Sequence, residues 1–169
     1  MKMKRRPRTK RRTLSPDGSR PGKVNYALTD RFAGHLTRVV QVRLFQLYYK
    51  RLGNLGVSPG VFAAVTAIHS NPGIPHGSLT EALAAHGPNI TKLVDKLVRD
   101  GWVERRSLQS DRRTTGHFLT QAGRDKAQTL IKAGLAHDMS ATSSLSAAER
   151  RTLLRLLAKL DRALAATSR

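Results

Sequence analysis

The stretch from Pro88 to Gly123 constrains the fold more than any other part of the chain. Pro88 suits the first turn of a helix, where its missing N–H would be unbonded anyway. Ile90, Leu93, Val94 and Leu97 then recur at three- and four-residue steps, the period of one helical face. Asn89, Lys92, Lys96 and Arg99 fall elsewhere on that surface, and Gly101 stops the helix. Residues 102–106 and 114–119 read as two strands, joined by seven residues, 107–113, that end in Asp111-Arg112-Arg113. Thr120 caps the helix that follows. A helix feeding directly into a hairpin with a charged tip excludes most architectures.

The flanking sequence is helical. Phe32, Leu36, Val39, Val40, Leu44, Leu47 and Tyr48 place one long helix over residues 29–52, with Val42, Phe45 and Tyr49 as a second apolar strip. A helix apolar on more than one side is either central or shared with another subunit. Ser58-Pro59 starts the next helix, with Phe62, Val65 and Ile68 on one face, and Asn71-Pro72-Gly73 ends it in a loop. Ser78 is expected to cap a short helix through Leu83. Near the C-terminus, Ser146 to Glu149 forms a capping box, and Leu153, Leu156, Leu157, Leu160 and Leu164 follow in helical register.

The fold class implied is mainly α with a small β-hairpin wing, that is, a winged helix-turn-helix with dimerisation helices at both ends. The expected boundaries are a disordered basic tail over 1–24 and a domain over 25–166. Within it, the lobe that carries the helix pair and the hairpin covers about 57–120 and the dimerisation helices about 28–52 and 121–166.

The second of two helices joined by a tight turn lies in the DNA major groove in proteins of this plan. At ~1.5 Å per residue the helix from Pro88 is about 20 Å long, ample for a groove. Its first turns offer Asn89, Thr91 and Lys92, with Lys96 one turn on. Asn can pair with adenine, Lys with guanine, and Thr can reach a base edge or a thymine methyl. The hairpin offers Arg105, Arg106, Arg112 and Arg113. Arginine on a protruding arm fits the negative potential of the minor groove. Asp111 is expected to pair with one of these arginines and orient the tip.

Charge agrees with a polyanionic partner. The formal net charge is +20, and residues 1–24 hold ten basic side chains against one acid, Asp17. The remainder still carries +11, so the globular part is basic too. The tail reads either as a solubilising segment or as an arm along DNA phosphates. The absence of cysteine excludes thiol redox sensing and thiolate metal sites. Its apolar runs are far below the ~18 residues of a membrane span. No membrane association is expected, and neither a secretory signal nor a transit peptide; the location expected is cytoplasmic and nucleoid-associated.

Residues 90–106, the Asp111-Arg112-Arg113 triplet and Leu119-Thr120-Gln121-Ala122-Gly123 together resemble the MarR family of bacterial winged-helix regulators. Asn71 to Ile74, Leu79 to Leu83 and Ser146 to Leu157 resemble its other segments, and the likeness spans about residues 28–165. Thr80 stands where the family usually has Ala. The resemblance implies a homodimer on a near-palindromic double-stranded operator, usually a repressor released by a small, often aromatic, ligand. Two-fold symmetry then places half-sites ~34–36 Å apart or multiples of that. It also implies an effector pocket lined by the first, second and fifth helices.

Polar groups on or near apolar faces there are His35, Arg38, Arg43 and His69. Arg could hold a carboxylate by a bidentate pair. With no tight His spacing and no Cys, neither a metal nor another cofactor is expected. What is left is an organic effector, such as an aromatic acid or its coenzyme A thioester, or no effector at all. No paired carboxylates, Gly-rich phosphate loop or nucleophile triad points to an enzyme. The alternative reading is a nonspecific basic architectural or RNA-binding protein.

Overall fold

The computed structural model describes Tyr26, residues 28–108 and residues 113–167. It falls into two compact units, Met1–Leu44 and Phe45–Arg169. In the first unit a 3-10 turn, Thr29–Arg31, is followed by Phe32 in extended conformation and then by α1 (Ala33–Leu52), whose C-terminal part enters the second unit. The single helix read over 29–52 is thus interrupted at Phe32. Phe32, Leu36, Val40, Val42 and Leu44 are exposed, as are Phe45 and Tyr49 beyond them. Only Tyr48 and Leu52 of α1 are buried.

The second unit holds the core. Ser58 accepts a hydrogen bond from the Val61 amide at 3.3 Å and opens α2 (Pro59–Ser70). Val61, Ala64, Val65 and Ile68 form its buried face. A two-residue strand, β1 (Ile74–Pro75), leads into α3 (His76–Ala82). α3 therefore starts two residues before Ser78, with Pro75 in the cap position and no side-chain cap. After α4 (Gly87–Arg99) come β2 (Val103–Ser107) and β3 (Thr115–Leu119). They pair antiparallel, Val103 opposite Leu119 and Ser107 opposite Thr115. β1 adds to the other edge of β3, Ile74 opposite His117, so the hairpin becomes a three-stranded sheet ordered β1-β3-β2. α5 (Gln121–Ala141) and α6 (Ala147–Thr167) close the chain.

One cluster joins these elements: Val57, Val61, Ala64, Val65, Ile68, Ile74, Leu79, Ile90, Val94, Leu97, Val103, Leu119, Ala127 and Leu130. α6 starts at the expected capping box, with the Ser146 amide donating to Glu149 at 2.8 Å and the Glu149 amide to Ser146 at 3.3 Å. None of its residues is buried. Among the described residues no single helix is long and apolar enough to cross a membrane.

Candidate nucleic-acid interface

Three side chains fix the orientation of α4. Ile90, Val94 and Leu97 are almost completely buried and turn the opposite face outward. Asn89, Thr91, Lys92 and Lys96 are all exposed on it. The end of α4 is set by a paired-bond cap. Gly101, at φ 73°, donates to the Val98 carbonyl at 3.0 Å, and Trp102 donates to Leu97 at 2.9 Å. A left-handed φ at this point favours glycine because it has no Cβ.

The wing is anchored at both ends through Thr120. Its hydroxyl donates to the Gly101 carbonyl at 2.6 Å and accepts from the Gly123 amide at 3.0 Å. Its amide donates to Trp102 at 3.1 Å. The stop of α4, the return of β3 and the start of α5 therefore meet in one side chain. This explains the Leu119-Thr120-x-x-Gly123 pattern. Leu119 fills the core, Thr120 caps α5, and a Cβ at Gly123 would stand 1.9 Å from the Trp102 carbonyl oxygen.

Two of the wing arginines are held by neighbours. Arg105 on β2 reaches back to Asp95 of α4, with Nη2 2.5 Å from Oδ1. Arg106 pairs with Glu104, and its guanidinium lies 5.3 Å from the centre of the Phe118 ring. Lys96 pairs with Asp100 one turn on, at 2.5 Å. Arg113 is exposed where the chain returns toward β3. Asp111 and Arg112 lie outside the described residues, and so does the pairing expected of Asp111.

Beneath the wing sits a group that sequence reading missed. His117 on β3 is 2% exposed, and among the described residues neither ring nitrogen has a hydrogen-bond partner. Burial pushes its pKa below the ordinary imidazole value; His76 and Arg105 push the same way. The His76 ring stands edge-on to it, with centroids 5.7 Å apart. His76 Nε2 is 3.3 Å from the Thr91 hydroxyl, which also donates to the Gly87 carbonyl at 3.1 Å. In sequence the one signal was parity: His117 is two residues from Leu119 and so shares its core-facing side of β3.

The polar effector candidates lie on different elements. His35, Arg38 and Arg43 lie on α1, and Nε2 of His35 is sheltered with no hydrogen-bond partner among the described residues. His69, exposed in the last turn of α2, edges a cleft of about 170 Å³ with Ile68, Pro72, Phe118, Leu119 and Arg124. An aromatic group unremarked in the sequence joins the end of α1 to α2 and α5. Tyr48 meets Phe62 and His137 edge-on, at 6.2 and 5.8 Å. Its hydroxyl donates to the Val57 carbonyl at 3.3 Å. Among the described residues no three His, Asp or Glu side chains are grouped to hold a metal ion.

A sequence model of the MarR family matches residues 57–115, from the residue before the Ser58 cap to the start of β3. The regulator BilQ of Clostridium symbiosum, a helix-turn-helix transcriptional regulator, is 33% identical over 122 residues. That match covers 70% of this chain and 83% of BilQ. The chain belongs to the MarR family. A mutant MarR of Escherichia coli in complex with operator DNA is 25% identical, with a TM-score of 0.69 over 82% of this chain and 99% of that one. BpsR of Bordetella bronchiseptica, whose DNA binding is regulated by 6-hydroxynicotinic acid, shares the fold at 19% identity. Its TM-score is 0.71 over 82% of this chain and 97% of BpsR. This MarR-family protein is a DNA-binding transcriptional regulator built on a winged helix, and not an enzyme.

Proposed function

We propose that the protein is a dimeric, sequence-specific repressor that binds a near-palindromic operator and releases it when a small organic effector binds. The observation that carries this reading is the outward face of α4, with Asn89, Thr91 and Lys92 exposed in its first turns and the wing fixed beside it by Thr120. In this reading Asn89, Thr91, Lys92 and Lys96 face the major groove. Arg112 and Arg113 reach the minor groove, with Asp111 orienting the tip. Arg105 and Arg106 contribute while bracing the wing, since a guanidinium has five donors and one carboxylate does not exhaust them.

Two-fold pairing is supported by the exposed apolar residues of α1 and by the leucines of α6, none of which is buried. The effector proposed is an aromatic acid or its coenzyme A thioester. Support comes from BpsR, which shares the fold and whose DNA binding is regulated by an aromatic acid, 6-hydroxynicotinic acid. His35, Arg38, Arg43 and His69 are the candidates for holding its charged group. Such an effector needs about 1–3 kcal/mol of coupling to move operator affinity usefully.

The test is selection of bound sequences from a random duplex pool by the full chain, repeated with a panel of aromatic acids and their thioesters. A two-fold symmetric motif lost in one of these ligands is the expected result. Equal binding of unrelated duplexes would overturn specific regulation in favour of a nonspecific basic DNA- or RNA-binding protein. A motif indifferent to the whole panel would remove the effector class.

A further inference from the structure

We infer that His76, which does not lie on the recognition helix, sets which base the helix reads, by fixing how Thr91 presents its methyl group. The inference rests on α4 entering the major groove.

A threonine hydroxyl has one proton and two lone pairs. In Thr91 that proton goes to the Gly87 carbonyl, one turn back, at 3.1 Å. The contact with His76 Nε2 at 3.3 Å is then satisfied by the ring, which donates from its Nε2–H into a lone pair of the hydroxyl. Threonine in a helix divides between two χ1 rotamers, because its oxygen can bond the preceding turn. The bond to Gly87 leaves both rotamers open; the contact with His76 selects the one that holds Oγ1 beside the ring, and the γ-methyl is fixed with it. The side chain that remains exposed has no proton to donate. It offers a methyl group and a single lone pair. In the major groove a methyl group reads the C5-methyl of thymine.

The ring that does this is itself held. His76 begins α3, directly after β1, and β1 is hydrogen-bonded to β3. His117 on β3 stands edge-on behind the ring at 5.7 Å, and is 2% exposed, so it has no room to turn aside. A third element thus sets the orientation of a base-reading side chain on α4. His76 is a positioning residue, acting through Thr91.

The methyl can be tested directly, since deoxyuridine is thymidine without it. With the full chain, each thymine of the selected half-site is replaced in turn by deoxyuridine. One position is expected at which the replacement costs roughly fivefold in affinity, somewhat below a bidentate base contact. Thr91→Ser should erase that cost, since serine keeps the hydroxyl and lacks the methyl. His76→Phe keeps a ring of similar shape without a donor, and should also erase it. His76→Gln places an N–H near the position of Nε2 and should restore it. Circular dichroism and duplex binding at low salt show that each variant folds.

No thymine with a methyl-dependent affinity, or a methyl dependence unchanged in His76→Phe, would overturn the inference. The underlying reading is checked separately through Asn89→Ala and Lys92→Ala. If these change the selected motif while His76→Phe keeps the methyl dependence, groove reading stands and the role of His76 falls. If neither changes the motif, α4 is not the reader and both fall together.

Discussion

His117 is an expensive residue for the core of so small a sheet. A buried imidazole without a hydrogen-bond partner gives up its hydration for nothing, and only its neutral form is tolerable. His76 from α3 and Arg105 from β2 both face it, and Arg105 is in turn held by Asp95 of α4. All of this keeps the native pKa below the ordinary 6.5, while the unfolded chain takes up its proton near that value. Between the two values the unfolded state binds more protons, so stability falls as pH drops through that window and is unaffected by His117 above it. Denaturant unfolding from about pH 7.5 to about pH 5.5 should show a loss that His117→Val reduces. An identical loss in the variant would mean that other groups cause it. Arg113 is a simpler case. If it reaches the minor groove, Arg113→Ala should weaken operator binding by about 1–3 kcal/mol, measured by titration at fixed salt. Unchanged affinity would remove the wing from the interface.

The elements legible in the sequence were those specified by neighbouring residues. α4 was readable because Pro88, the apolar steps and Gly101 all lie within it. β2 and β3 were readable from the break at Gly101 and the Thr120 cap. The capping box before α6 came out as read. β1 was missed because two residues are too few for an alternation, and one of them is proline. Its strand character comes entirely from pairing with β3. α3 was misplaced for a related reason. Ser78 is the better cap by residue type, but Pro75 is fixed by β1 and starts the helix at His76. The candidate base readers could be read because a helical period tells which residues share a face. The His76–His117–Thr91 arrangement could not, because it depends on the register of β3 and on how α3 packs against it. The junction at Thr120 yields a sharp test. Gly123→Ala drives a Cβ into the Trp102 carbonyl, a backbone atom that cannot rotate away. It should cost at least about 1–3 kcal/mol, the usual range for overpacking, seen as a lower denaturant midpoint. Wild-type stability would mean that α5 slides freely over β2.

Taken as a single chain, the protein leaves its two ends unfinished. Apolar residues stand exposed along α1, and α6 has five regularly spaced leucines, none of them buried. Leu157→Glu with Leu160→Glu should yield a monomer by sedimentation and lower operator affinity sharply. A variant that still sediments as a dimer would place the subunit contact elsewhere. The basic N-terminal segment has a separate expected effect. Removing residues 1–23 should flatten the dependence of affinity on salt, because fewer counterions are released, and should leave the selected motif intact. If the motif collapses, that segment reads sequence. The exposed leucines of α6 also bear on the gene this protein controls. If α6 finds its core only against a second copy, pairing follows protein abundance by mass action. At low abundance the amount of pairs rises with the square of expression, so halving synthesis leaves about a quarter of the operator-competent form. A promoter under such control would respond steeply to dosage before any ligand is present.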